Sequence, residues 1–283
     1  MADSIPVAAF CYDFDGTLAP GYMQDHAFIP ELGVERDEFW AEVKKIARKN
    51  KGDQIHAYMH LMIRKARGAD LKLRRSMWRK RGQDLPLFPG VDEWFARQNA
   101  RAAALGIHLE HYIVSSGVRE MIEGASIAKE FRRIYASSFL YSADGVADGV
   151  ALGVNYTNKT QYLFRVNKGT LEEWDDEKIN KAAPQSKRRV PFERMVFFGD
   201  GETDVPCMRL VTEQGGYAVA VYAAGDPKSE AAAIRLRADG RARFAGAADY
   251  SEGAVLDKVA HAMLKEIAAR HSASALSVWP DGR

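Results

Sequence analysis

Two carboxylates at the end of an apolar run are the first feature of this chain with chemistry in it. Val7-Ala8-Ala9-Phe10 reads as a short buried strand that leads through Cys11-Tyr12 into Asp13-Phe14-Asp15-Gly16-Thr17-Leu18. Burying one carboxylate at a strand end is costly. Burying two at i and i+2 costs more, because like charges repel in a low dielectric. Such a pair persists where a cation, a catalytic role or both offset it. A solvated turn is one reading, since Asp and Gly are ordinary loop formers. A calcium loop fails for want of a third oxygen ligand, a glycine at position six and a closing glutamate. A carboxylate nucleophile beside a carboxylic acid, suited to phosphoryl transfer through an aspartyl-phosphate, is the third.

Three later stretches repeat the pattern of a strand delivering polar groups to its carboxyl end. Leu109-Glu110-His111-Tyr112-Ile113-Val114 reads as a strand that runs into Ser115-Ser116-Gly117. A helix is expected to follow from about Val118 to Ala128, an order that builds a nest of backbone amides for phosphate. Arg133 to Tyr141 reads as a strand, and the turns Asp144-Gly145 and Asp148-Gly149 suggest a hairpin reaching Val154. Asn158-Lys159-Thr160 then opens a helix. A cation at a helix amino terminus is disfavoured by the dipole unless an anion sits there too. Lys168, farther along the same helix, is the other candidate. Met195-Val196-Phe197-Phe198 is a buried strand running into Gly199-Asp200-Gly201-Glu202-Thr203-Asp204, whose Asp200 and Asp204 are one helical turn apart.

Open α/β sheets place ligands at the carboxyl ends of their strands. There Asp13, Asp15, Asp200 and Asp204 would suit a hard cation with oxygen ligands, and magnesium is that ion. The seven histidines are scattered and no Cys/His cluster has zinc spacing. No P-loop and no dinucleotide fingerprint appears.

The elements between these stretches are helical. Phe39, Trp40, Val43, Ile46 and Ala47 form one apolar stripe, with Asp37 as its N-cap; Ile55, Tyr58, Met59, Met62 and Ile63 form a second, with Asp53 as its cap. Their aromatics and methionines read as packing. The basic segment Leu71 to Arg81 reads as a helix with a solvated cationic face, or as one that steers an anion or touches nucleic acid. A helix from Val91 to Leu105 ends at Gly106. Glu172 to Arg189 reads as a charged surface loop marked by Pro184, Gln185 and Ser186, Tyr217 to Tyr222 as the last strand, and Val255 to Ala268 as a capped helix before a loose tail from His271.

With 47% apolar and 28% charged residues over 283 positions, the composition is that of a soluble globular protein. A net charge of +2 makes no case for nucleic acid as a partner. Cys11 and Cys207 lie in apolar contexts and read as buried thiols. No apolar run reaches membrane-spanning length, and Met1-Ala2-Asp3-Ser4 lacks a basic n-region, so a cytoplasmic location is expected. Nothing in the sequence bears on oligomeric state.

The four motifs in this order resemble those of the haloacid dehalogenase-like hydrolase superfamily, closest to its phosphoserine-phosphatase-like branch. The resemblance implies an α/β fold: a Rossmann-like parallel sheet core flanked by helices (residues 1–20 and 89–283), with an inserted, mainly helical cap (21–88). It implies a Mg²⁺-dependent phosphomonoester hydrolase acting on a small phosphorylated metabolite. Asp13 would be the nucleophile. Asp15 would be the general acid and then the base, and it argues against the dehalogenase members, which lack an acid there. Ser115, with Ser116, Gly117 and Lys159, would bind the phosphoryl group. Asp13, the Asp15 carbonyl, Asp200 and Asp204 would hold the metal. The glutamate that reads phosphoserine in that branch has no counterpart in Ala19-Pro20-Gly21-Tyr22-Met23-Gln24. A phosphotransferase or mutase on the same core, and a non-enzymatic RNA- or anion-binding module, are the alternatives.

Overall fold

Strand β1 (Val7–Tyr12) is the middle of the molecule, and its alternation explains why. Phe10 and Tyr12 point into one buried cluster, while Ala9 and Cys11 point into the other. A strand buried on both faces needs helices on both sides. The structure, a computed structural model, describes residues 5–182, 184 and 187–276. Helices α1 (Met23–Ala27), α2 (Arg36–Asn50), α3 (Gln54–Gly68) and α4 (Arg75–Gln83) follow β1, then α5 (Val91–Ala104) and β2 (His108–Val118). Next come α6 (Arg119–Ile122), β3 (Arg133–Tyr141), β4 (Ala147–Leu152), α7 (Lys159–Lys168) and α8 (Asp176–Asn180). The chain continues through β5 (Met195–Gly199), α9 (Val205–Glu213), β6 (Tyr217–Tyr222), α10 (Pro227–Ala238), β7 (Phe244–Ala247) and α11 (Val255–Leu276).

The sheet order is β4-β3-β2-β1-β5-β6-β7, parallel except for the β3–β4 hairpin. The chain builds outward from β1 to β3 on one side and resumes at β5 on the other. The crevice at this reversal, above the carboxyl ends of β1 and β5, is where open α/β sheets bind ligands. Helices α7, α9 and α10 contribute to the Ala9/Cys11 cluster, and α5, α11 and the helices of residues 21–88 to the other. Both cysteines are buried free thiols.

Several local expectations are corrected. The strand β2 continues through Ser115-Ser116-Gly117 with a bulge between Ser115 and Val118, and α6 is a single turn rather than a helix to Ala128. The reason is a backbone-to-backbone crossing with α4. A Cβ on Gly124 would lie 1.9 Å from the Arg79 carbonyl oxygen, and one on Gly82 would lie 1.9 Å from that of Met121. Of the two glycine turns, only Asp144-Gly145 is one; Asp148 and Gly149 lie inside β4. Helix α2 is capped at Glu35, with Asp37 in its first turn, whereas Asp53 caps α3 as expected, accepting from the Ile55 and His56 amides. Tyr217–Tyr222 is not the last strand. The short Phe-Ala-Gly-Ala strand β7 pairs with it, preceded by α10, which buries little beyond Ala233. Helix α11 runs into the expected tail as far as Leu276, and residues 277–283 lie outside the described residues. The loop read at Glu172–Arg189 contains the short helix α8, and Gln185 and Ser186 lie outside the described residues, as do Met1–Ser4.

Beneath the carboxyl end of β1, Tyr12 stacks on Phe198 at 4.9 Å between ring centroids. Its hydroxyl accepts from the Trp94 indole N–H (2.9 Å) and donates to His111 Nδ1 (3.0 Å). His111 Nε2 in turn lies 3.1 Å from Asn99 Oδ1, so the relay is satisfied by a neutral ring protonated at Nε2. Also on α5, Asp257 of α11 accepts from Arg97 (3.0 Å), Gln98 (3.0 Å) and Arg101 (2.6 Å), locking the two helices together.

Burial pushes His111 down to about 3, so the folded protein refuses a proton that the unfolded chain accepts near pH 6.5. Its contribution to stability is therefore complete above pH 6.5 and declines as pH falls toward 3. Urea unfolding at pH 7, 6 and 5 should show this component as a slope of up to about 1.4 kcal/mol per pH unit, absent in His111→Gln. Parallel pH profiles for the two proteins would disprove the assignment.

Candidate active site

The end of β1 delivers Asp13 to the crevice, and local hydrogen bonds fix it there. The Asp13 amide donates to the Phe198 carbonyl (2.9 Å), and the Phe14 amide donates to Asp13 Oδ1 (2.7 Å). The chain then turns sharply at Gly16, whose φ of +73° belongs to the left-handed region. Space demands glycine there as well: a Cβ would stand 2.2 Å from Asp200 Oδ2. Asp15 faces the start of α1, where its Oδ1 accepts from the Met23 amide (3.0 Å).

From the other side of the reversal, β5 ends at Gly199 and Asp200. A Cβ on Gly199 would lie 2.5 Å from Asp204 Oδ2, so that glycine lets the Asp204 carboxylate fold back over the strand end. Asp204 Oδ2 accepts from the Asp200 (3.2 Å) and Gly201 (3.3 Å) amides. Asp13, Asp200 and Asp204 each place a carboxylate oxygen within 4.8 Å of the others. Into this group reaches Lys159, the first residue of α7. Its ammonium, fully buried, donates to Asp13 Oδ2 (2.7 Å) and Asp204 Oδ1 (2.6 Å). The dipole penalty expected for a lysine at that end of a helix is thus met by two carboxylates. Lys168 is elsewhere, donating to the Ile179 and Lys181 carbonyls.

Ser115 completes the floor. Its Oγ accepts from the Gly117 amide (3.1 Å), leaving its O–H to donate, and the Ser116 Oγ is buried without a hydrogen-bond partner among the described residues. Helix α3 is tied to this loop, because the Tyr58 hydroxyl donates to the Ser116 carbonyl (2.7 Å). Its cap Asp53 also accepts from Asn155 (2.9 Å), in the segment leading to Lys159. All the residues named from the motifs therefore meet around one cleft of about 930 Å³, except that Lys159 and Asp204 sit behind its wall.

The electrostatics are one-sided. Burial, reinforced by the Asp13 charge, raises the Asp15 carboxyl well above the usual range, against the Met23 amide. Burial and the Asp204 and Asp13 charges likewise raise Asp200. Burial alone would lower Lys159, but Asp13 and Asp204 hold it charged. One buried ammonium thus faces four carboxylates. Three of these converge as hard oxygen donors, a set that fits a divalent cation such as Mg²⁺ and leaves its charge to be shared with an anionic substrate.

The basic helix α4 presents a solvated cationic face, the first of its two readings, and does not line the cleft. Arg79 pairs with Glu123, Arg81 with Glu31, and Arg75 lies over the Tyr141 ring, so these guanidinium groups are engaged away from it. The wall is formed instead by α1, α2 and α3, with Gln24, Arg36, Lys44 and the aromatics Tyr22, Trp40 and Tyr58. Trp40 and Tyr58 therefore do more than pack. No spacing rule in the sequence marks Gln24, Lys44 or Asn155 as lining residues, because the cleft gathers them from separate elements.

Residues 10–209 match the haloacid dehalogenase-like hydrolase family. The chain belongs to that family. An uncharacterised protein of Borreliella burgdorferi is 30% identical over 229 residues, covering 72% of this chain and 78% of that one. Among solved structures, a probable phosphoserine phosphatase from Vibrio cholerae is similar with a TM-score of 0.55 at 17% identity, covering 94% of this chain and 68% of that one. A phosphoserine phosphatase in apo form gives 0.54 at 16% identity, with coverage of 84% and 92%. A hydrolase of the same family from Salmonella enterica serovar Typhi gives 0.53 at 17% identity, with coverage of 82% and 66%. At these identities the likeness is one of fold, and it agrees with the Rossmann-like sheet described above.

Removing the single cation from this acidic cluster should be costly. Lys159→Met leaves Asp13 and Asp204 unpaired in a buried site, a change worth about 3 kcal/mol or more at neutral pH. Acidification should reduce the penalty, since the protonated carboxyls no longer repel. Denaturant titrations of both proteins at pH 7.5 and 5.5 measure it, and a loss that is small or independent of pH would contradict this account.

Proposed function

We propose that this protein is a Mg²⁺-dependent phosphomonoester hydrolase working through a phospho-Asp13 intermediate. The observation that carries the proposal is Lys159, held between Asp13 and Asp204 beside a second acid, Asp15, whose carboxyl burial raises well above the usual range. A lysine between two carboxylates could be structural. A nucleophile-acid pair at a crevice with further carboxylates and free hydroxyl donors is what phosphoryl transfer requires.

In this reading the phosphate of the substrate lies over Asp13, bound by the Ser115 hydroxyl and the Ser116 and Gly117 segment, with the Lys159 ammonium supplying positive charge from behind Asp13. An Asp13 carboxylate oxygen attacks phosphorus, and the P–O bond to the leaving alcohol breaks. Asp15 gives its proton to the departing oxygen, so that no alkoxide is released. The Asp15 carboxylate then takes a proton from a water molecule, whose oxygen attacks the phosphorus of phospho-Asp13. Phosphate leaves, Asp13 is regenerated, and Asp15 is protonated again. Asp13, Asp200, Asp204 and the Asp15 carbonyl would hold the Mg²⁺, which when bound supplies positive charge for the phosphoryl oxygens. Residues 21–88 serve as the cap, the wall that excludes bulk water and receives the alcohol. The substrate is a small phosphorylated metabolite.

Phosphate release from a panel of phosphomonoesters, with Mg²⁺ and with chelator, tests the proposal. Release should be lost in Asp13→Asn and with chelator. Asp15→Asn should lose about 10²–10⁴-fold on alkyl esters, which need an acid for departure. With p-nitrophenyl phosphate, whose leaving group needs none, the same variant should still give a burst of nitrophenol and accumulate phosphoenzyme. Release that persists in Asp13→Asn, or no release from any ester, would refute the mechanism.

A further inference from the structure

The cleft is larger than its phosphate end requires, and the surplus has a definite chemistry. At about 930 Å³ it lies near the upper end of the roughly 300–1,000 Å³ typical of pockets that enclose drug-sized ligands. From the Ser115-Ser116 floor outward, its helical side is an aromatic strip. Tyr58 donates to the Ser116 carbonyl, Trp40 lies 6.0 Å from Tyr58 between ring centroids, and Tyr22 lies 5.3 Å from Trp40 at the mouth. The strip is held in place. Trp40 Nε1 donates to Asp25 (2.9 Å), and the same carboxylate takes the Arg36 guanidinium (2.5 Å), which lies over the Tyr22 ring. Tyr22 remains half exposed.

Gln24 is the second, independent observation. It lines the cleft, is only 2% exposed, and its Oε1 has no hydrogen-bond partner among the described residues. Leaving a buried acceptor unsatisfied costs about 1–3 kcal/mol unless something supplies a donor. Gln24 lies beside Tyr58, at the inner end of the strip, and lines the same cleft as Asp13.

We propose that Trp40, with Tyr22 and Tyr58, and Gln24 form the leaving-group subsite, and that the natural substrates are phosphomonoesters of a flat, ring-bearing alcohol carrying an N–H or O–H group. The ring packs against the strip, whose rings are tilted to one another by 55° and 64°, and the N–H or O–H donates to Gln24 Oε1. A short alcohol without a ring, such as serine, would leave the strip uncovered. The inference rests on the phosphatase reading of the same site for the position of the phosphate, but its central claim is one of binding.

The test is therefore calorimetric as well as kinetic. Full-length Asp13→Asn protein in Mg²⁺ is titrated with uridine 5′-monophosphate, phenyl phosphate, phosphoserine and glycerol 3-phosphate. Both ring-bearing esters should bind at least tenfold more tightly than the other two. Adding Trp40→Ala should remove most of that preference, while Trp40→Phe, which keeps a ring and tests against simple misfolding, should retain it. Gln24→Met should weaken uridine 5′-monophosphate about fivefold or more and leave phenyl phosphate, which has no donor, within twofold. Equal affinities, phosphoserine binding tightest, or Trp40→Ala weakening all four esters alike would overturn the proposal. The ring preference without turnover by the wild-type protein would retain the subsite and refute the phosphatase reading. Turnover without the preference would do the reverse.

Discussion

A buried ammonium between two buried carboxylates is the constraint on which the rest of this structure depends. Lys159 reaches Asp13 from α7, and Asp204 from the turn after β5, so one side chain joins three segments far apart in sequence. None of the three charges is tolerable alone in that setting, since removing either sign leaves an uncompensated ion in a low dielectric. The positions of β1, β5 and α7 are therefore coupled through charge as well as through packing. Apolar contact does the coarse placement: Tyr162, Leu163 and Val166 of α7 belong to the cluster beneath Cys11 and Phe197. The loop after α7 holds its far end, where Arg165 donates to the Glu173 and Asp175 carbonyls. With both ends fixed, the amino terminus of α7 has little freedom, and the ammonium is presented at one point.

The acidic surplus is made possible by absent side chains. Asp200 occupies space that a Cβ on Gly16 would take, and Asp204 occupies space that a Cβ on Gly199 would take. These glycines serve the site in different ways. Gly16 must also adopt a positive φ, whereas Gly199 is an ordinary strand residue whose only requirement is room. Four carboxylates thus approach more closely than side chains of normal volume would allow. The excess negative charge is stored as raised proton affinity at Asp15 and Asp200. For Asp15 the shift is toward the protonated form that the proposed donor role needs, and it follows from burial and from its neighbour Asp13, against the Met23 amide.

Much of this was legible in the sequence because it is written in contiguous residues. Apolar runs ending in Asp13/Asp15, Ser115 and Asp200/Asp204 mark strand ends, and strand ends of a parallel sheet converge by topology alone. Lys159 was distinguished from Lys168 by its place at a helix start, and the structure puts it in the cluster. The failures have a common cause. The Val118–Ala128 segment carries helix-forming residues, yet it is cut short by the close crossing of Gly82 and Gly124, a contact between distant segments. Asp148-Gly149 has turn chemistry, but antiparallel pairing with β3 extends it. Strand β7 has only four residues, mostly small, and α10 buries too little to show a stripe.

The same distinction separates the two ends of the cleft. The proposed phosphate end is built from charged and hydroxyl groups, whose burial is so costly that their type and spacing advertise a role even without a structure. The proposed organic end is built from Trp40, Tyr58 and Gln24, residues that any helix could bury for packing, and nothing in a helical stripe says which of its members face a cavity. The cationic helix shows the converse. Its charge alone allows a solvated face or an anion-binding one, and with Glu31, Glu123 and the Tyr141 ring holding its guanidinium groups away from the cleft the solvated face is the one realised. Charge density along a sequence is informative only when its partners are also known. Here those partners come from α6, the β3 strand and the turn before α2, so the selectivity of the wall is a property of the fold. The reactivity of the floor, by contrast, belongs to short peptides that carry it with them.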